Sequence, residues 1–141
     1  MKMKIAISTQ RGGLEDDVSS VFGRCQKITF AECEVEQVKE TKVTDNPGFS
    51  AAGGAGIVAA QYVADEKTDA VVSGNFGPNS ARVLAASGIK MIQYSGKAGE
   101  AVKKYVKGEI KPLDGATVSD HFGSARQGPG RRGRARGGGR W

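Results

Sequence analysis

Histidine is nearly absent from this sequence: His121 is the only one in 141 residues. That excludes a metal centre built on two histidines of one chain. The two cysteines, Cys25 and Cys33, are too few for a disulfide framework at this length. Their C-x7-C spacing matches none of the usual cluster or zinc motifs. No apolar run approaches the ~20 residues needed to cross a bilayer. The N-terminal MKMKIAIST has only a short apolar stretch before QRGGLEDD, which is not the form of a signal peptide. A cytoplasmic protein with no membrane association is expected. There is no Walker A lysine, and GGAGIVAAQ is not a G-x-G-x-x-G following a strand, so nucleotide binding and phosphotransfer find no support.

Acidic residues are missing from the last sixteen positions, 126–141, where Arg126, Arg131, Arg132, Arg134, Arg136 and Arg140 stand. These six arginines account for the whole formal charge of +6, and residues 1–125 are neutral. The basic balance therefore describes a tail and not a folded face. Segments of this Gly/Arg type bind RNA and other polyanions through charge and arginine stacking, so a tail-borne RNA partner is one functional reading. Aromatic residues are scarce, at 6%, with Trp141 the single tryptophan. Few stacking platforms are on offer.

What is present reads as one α/β domain. KIAIS (4–8) has the look of a buried strand. KITFAECEV and VEQVKETKV read as a hairpin of two strands with its turn near 34–37. DNPG (45–48) signals a turn. GGAGIVAAQYVADE predicts a helix with Ile57, Ala60, Val63 and Ala64 inward. DAVVSG (69–74) is a further strand, ARVLAAS (81–87) a short helix, IKMIQYSG a strand, and AGEAVKKYVKGE an amphipathic helix ended at Gly108. The order β-β-β-α-β-α-β-α implies an antiparallel arm on parallel strands with right-handed crossovers. The economical form is a mixed five-stranded sheet with helices on both faces. Residues 1–110 make this domain, 111–127 are an extension, and 128–141 are a Gly/Arg-rich tail without the means to build a core.

Ligands of open α/β sheets bind beyond the carboxyl ends of strands where the order reverses. With the first strand central and the fourth beside it, the loops 9–24 and 73–80 meet there. The helix entrance AAGGAG (51–56) is a further candidate, because helix N-termini present unpaired N–H groups to anions. Glu15, Asp16 and Asp17 read as a solvated loop. Cys25 sits at this switch point. It reads either as a small buried residue or, as a thiolate, as a soft ligand for iron or a cluster; Cys33 reads as a buried residue. His121 reads as surface decoration or as a metal ligand. It lies in VSDHFGSA (118–125), which echoes VSSVFGRC (18–25) at four positions.

The stretches VSSVFGRC…ITFAE, NPGFSAAGGAGIVAAQYVA, DAVVSGNFGPNSARVLAASGIKMI and AVKKYVKGE, in that order, resemble the dinitrogenase iron–molybdenum cofactor biosynthesis family (NifX/NifB-like) over residues 3–108. The Gly/Arg tail is similar to those of some small archaeal members. The resemblance implies a ribonuclease H-like three-layer fold with strand order 3-2-1-4-5. It also implies non-catalytic binding or carriage of an iron–sulfur or iron–molybdenum cofactor or its precursor, with cofactor-assembly proteins as partners. Nuclease activity is not implied, since KIAIS and AVVSG lack the acidic residues it needs. Carried over by position, the site is Ser19, Phe22, Gly23, Arg24 and Cys25, then Gly53, Gly54 and Gly56, then Gly74, Gly77, Pro78 and Asn79. The family's phrase commonly has histidine where this chain has Val21. Cys25 can substitute for it, and His121 can supply the missing imidazole, so Cys25 and His121 are the metal-ligand candidates. A carrier of an iron-containing cofactor and a polyanion-binding tail are the two readings the sequence leaves.

Overall fold

The structure, a computed structural model, describes residues 2–35, 37–50 and 53–113. Eight elements follow in order: β1 (Lys2–Thr9), β2 (Lys27–Glu34), β3 (Gln37–Asp45), α1 (Ala55–Asp65), β4 (Ala70–Ser73), α2 (Pro78–Ala86), β5 (Lys90–Gln93) and α3 (Ala98–Val106). The sheet order is β3-β2-β1-β4-β5. β1 pairs antiparallel with β2, and β2 with β3, while β1–β4 and β4–β5 are parallel. This is the mixed sheet expected from the spacing of strands and helices. No helix among the described residues is long and apolar enough to cross a membrane.

Period-two alternation divides the strands between two cores. Ala6, Ile28, Phe30, Val71 and Met91 face α1 and α2, where Ala59, Ala60, Val63, Ala81 and Leu84 close over them. Ile5, Ile7, Ala31, Val72 and Ile92 face α3 and meet Ala98, Ala101 and Val102. The result is three layers. Phe30 anchors the larger core: it is 2% exposed and meets Tyr62 edge-on at 6.0 Å, with the Lys4 ammonium 4.9 Å from its ring.

Three details depart from the sequence reading. Ile57 is 38% exposed, and Ala59 takes its place in the core. At the helix start the Gly56 side of α1 faces α2 closely, since a Cβ on Gly56 would lie 3.2 Å from the Ser80 Cβ, and Ile57 follows it on another side of the helix. α2 begins one turn early, at Pro78, whose fixed φ and missing N–H suit the first helical position. Beyond α3 the chain continues to pack past residue 110. Ile110 joins the α3-side core, Leu113 the other, and the Leu113 N–H donates to Met91 O at 2.7 Å. The chain thus passes around the β5 edge. The rest of the expected extension and the Gly/Arg tail lie outside the described residues.

Phe30→Ala should lower unfolding free energy by about 3–5 kcal/mol, the range for deleting a buried aromatic ring. Urea unfolding checks it: the midpoint falls while the slope holds.

Candidate functional site

β1 and β4 lie side by side and parallel at the centre of the sheet, and the chain leaves them in opposite directions, to β2 and to β5. The loops that follow them, 10–26 and 74–77, therefore start together, and the backbone stitches them. Ser19 N–H donates to Ser8 O (2.7 Å), and Ser19 O accepts from Gly74 N–H (2.8 Å) and from Ser73 Oγ (3.3 Å). Phe22 N–H donates to Asn75 O (3.0 Å), and Asn75 Nδ2 to Ser20 O (3.0 Å). Phe22, 3% exposed, packs tilted on Phe76 at 5.8 Å between ring centroids. Glycine is required where the loops touch: a Cβ on Gly74 would lie 2.9 Å from both Ser20 Cα and Ser20 O.

The same loop reaches the helices. Gly23 has φ +101°, and a Cβ there would lie 2.8 Å from Gly56 Cα in the first turn of α1. With Gly56 against Ser80, three segments converge: the loop around Gly23, the start of α1 and the start of α2. Gly54 (φ 69°) caps α1 and Gly77 caps α2, and at neither end does a side chain accept from the first-turn N–H groups. α3 is different. Its Ala98 and Gly99 N–H groups donate to Asp16 O and Leu14 O, both at 2.9 Å. Two helix N-termini capped by glycine thus flank one junction, while the first-turn N–H groups of the third donate to the β1–β2 loop. Gly53, Gly54 and the Arg24 side chain are exposed beside it. Asn79 Oδ1 accepts from Arg82 Nη2.

Cys25 comes to the foot of this junction but faces inward. It is fully buried in the α1/α2-side core. Burial pushes its thiol up to about 11, against the N–H groups of Gly23, Thr9 and Cys25 and the Asn46 amide, which favour the thiolate. At neutral pH it is a protonated, covered thiol. Cys33 is on the opposite face of the sheet, its thiol also pushed up by burial. It helps line a groove of about 670 Å³ with Leu14, Val38, Val102 and Val106, between α3 and the β2–β3 hairpin. That groove is on the other side of the sheet from the junction. His121 and the arginines 126–140 lie outside the described residues. Among the described residues no three His, Cys, Asp or Glu side chains group to hold a metal ion. Among the described residues the junction presents backbone from three segments, with exposed Arg24 next to Gly23 in the chain.

Two residues were misjudged or missed in the sequence. Asp16 is not part of a solvated run; it is 6% exposed. Its Oδ2 accepts from the N–H groups of Gln10 (2.9 Å), Arg11 (2.7 Å) and Gly12 (3.0 Å), and its Oδ1 from that of Asp17 (2.9 Å). Burial works against the carboxylate, but these four donors outweigh it and hold the pKa below the ordinary 3.8. An aspartate in a Gly-rich loop is a ready local acceptor, but with three adjacent acids nothing local singles out Asp16. Glu15 and Asp17 are exposed, as expected. Asn46, 3% exposed, was missed; its place before Pro47-Gly48 marks a turn but says nothing of its partners, Gly23 and Cys25.

Comparison with known proteins gives a consistent set of relatives. Residues 1–108 match the family model described as dinitrogenase iron–molybdenum cofactor. The chain is 26% identical, over 113 residues, to an uncharacterized protein of Methanocaldococcus jannaschii, covering 79% of this chain and 92% of that one. The apo form of the orange protein from Desulfovibrio gigas superposes with a TM-score of 0.76 at 26% identity, covering 82% of this chain and 97% of that one. A Thermotoga protein solved by NMR and described as a NifB protein gives 0.68 at 23% identity, covering 82% and 97%, and speaks to the fold alone.

Gly74→Ala should separate the two loops, since its Cβ meets backbone that cannot rotate away. The cost expected is about 1–3 kcal/mol, with amide-proton shifts concentrated at 19–24 and 74–77 in the NMR spectrum; shifts spread evenly over the domain contradict the stitching. Asp16 makes a pH prediction. Its folded pKa is depressed, so its contribution is present above about pH 3.8 and is lost as pH falls through the lower folded value. Asp16→Asn should cost about 2 kcal/mol at neutral pH and flatten the acid limb of stability against pH.

Proposed function

The chain belongs to the dinitrogenase iron–molybdenum cofactor family, and from that premise we propose that it is a non-catalytic carrier. Its cargo is an anionic iron–sulfur or iron–molybdenum cofactor, or a precursor of one, received at the junction of the 10–26 loop with the starts of α1 and α2. The observation that carries this reading is the pair of helix N-termini without side-chain caps, brought together with exposed Arg24 while α3 is sealed. Backbone N–H groups at Gly53, Gly54, Gly77 and Asn79 suit the sulfide and carboxylate edges of such a cargo. Arg24 supplies charge at the rim. Ser19, Phe22, Gly23 and Gly74 hold the loops in place, and Cys25 seats the loop from below.

Side-chain ligation falls to His121. Leu113 is pinned to Met91 in β5, and two residues further along that strand the Gln93 Nε2 donates to Gly74 O at 3.0 Å. His121 follows Leu113 by eight positions, and eight residues span up to about 26 Å. That contour length is the ground for proposing His121 as the ligand. A carrier exchanges its cargo with other proteins of cofactor assembly, and these are the proposed partners.

The test is anaerobic reconstitution with ferrous iron and sulfide, with and without molybdate, followed by metal analysis and visible absorbance. Wild type should take up iron and colour. Arg24→Ala should weaken loading about 10-fold, in line with the loss of a charged hydrogen-bond donor. His121→Ala should lower iron retained after gel filtration. A wild-type chain that takes up no iron under any of these conditions overturns the carrier reading.

A further inference from the structure

The loop that carries Gly23 and Arg24 is held from beneath by one side chain that no motif pointed to. Asn46 follows the last residue of β3 and is 3% exposed. Its Nδ2 donates to Cys25 O (2.8 Å) and Gly23 O (3.2 Å) and lies 3.5 Å from Cys25 Sγ. Its Oδ1 accepts from Gly48 N–H (2.9 Å), its own N–H donates to Gln26 O (3.0 Å), and its carbonyl accepts from Phe49 N–H (3.0 Å). One amide thus joins the end of the β1–β2 loop to the turn that leads toward α1. The link matters because the turn and helix are in contact: a Cβ on Gly48 would lie 2.4 Å from Ala55 O. Asn46 touches the loop and the turn, and Gly48 and Gly23 both touch the start of α1.

We infer that Asn46 is the positioning residue of the junction: its amide clasps Gly23 and Cys25 so that Arg24 and the first turn of α1 are held in register for an anionic cargo. The inference rests on the carrier reading for its functional half. The clasp also touches Cys25, whose Sγ lies 3.5 Å from the Asn46 Nδ2. Its thiol lies under the loop that Asn46 ties down, so release of the amide uncovers it. Of the two halves of the side chain, the NH2 group does the clasping and the carbonyl serves the turn.

The Asp and Ala variants separate these halves. Asn46→Asp keeps an oxygen for Gly48 N–H and removes the donors to Gly23 O and Cys25 O. Asn46→Ala removes both. In a Cys33→Ser background, so that Cys25 alone is read, labelling by iodoacetamide should be slow for the parent and at least about 10-fold faster for Asn46→Asp. The rate should not change in low urea, which marks local and not global opening. Iron and sulfide reconstitution of the same proteins should need about 10-fold more iron for half-loading in Asn46→Asp. An unchanged labelling rate in Asn46→Asp overturns the clasp. A faster rate with unchanged loading overturns its positioning role. If Asn46→Ala fails to fold, Asn46→Asp still decides both points. If the parent takes up no iron, the carrier reading fails while the labelling rates still test the clasp.

Discussion

The parallel pairing of β1 with β4 is the contact on which the rest of the molecule depends. Ile5, Ala6 and Ile7 stand opposite Ala70, Val71 and Val72, all of them buried. Parallel strands cannot be joined by a tight turn, so the pairing forces the intervening chain to make its hairpin and α1 elsewhere. It also sets two chain exits side by side at the carboxyl ends. Everything proposed for the site follows from that placement. Ser19 closes it: its carbonyl takes hydrogen bonds from Gly74 and Ser73 across the gap, tying the two loops into one surface.

Around that surface the donors are divided unequally. The β1–β2 loop spends its carbonyls at Leu14 and Asp16 on α3, and Asp16 spends its carboxylate on the loop itself. The starts of α1 and α2 are instead capped by Gly54 and Gly77, which carry no side chain to accept from the first-turn N–H groups. Since helix N-termini seek either a cap or an anion, it is at the starts of α1 and α2, and not at that of α3, that the proposed cargo site is placed. Close backbone approaches at Gly23, Gly56 and Gly74 are what allow the three segments to converge, and none of them tolerates a β-carbon without displacement.

Much of this was legible in the sequence. Short apolar runs in KIAIS and AVVSG, alternation in KITFAECEV and helical spacing in three segments led to a mixed five-stranded sheet, the long Gly-marked loops after the first and fourth strands to the expected switch point, and the family resemblance to the sheet order that the structure shows. Membership in the dinitrogenase iron–molybdenum cofactor family agrees with the resemblance those stretches carried. Less legible was the direction in which individual side chains point. Ile57 fits a helical stripe as well as Ala59 does, but it is the Gly56 and Ala59 side of α1 that the fold lays against α2 and the sheet. Asp16 looked like one of three surface acids because a charge run carries no information about which carboxylate finds amides.

By itself, then, the sequence determined the order and type of the elements, the two-faced alternation of the strands and the loops that gather at the switch point. These depend on local periodicity and on short-range turn chemistry, which neighbouring residues carry. Tertiary structure alone decided that Cys25 is a covered thiol, that Asn46 is bonded to the loop that carries it, and that the start of α3 donates to the β1–β2 loop. Each of those outcomes is set by a partner from a distant stretch of chain. Asn46 is 21 residues from Cys25 along the chain, yet its amide lies 2.8 Å from the Cys25 carbonyl. No local pattern encodes such a contact, because it exists only once the sheet has brought the two segments together.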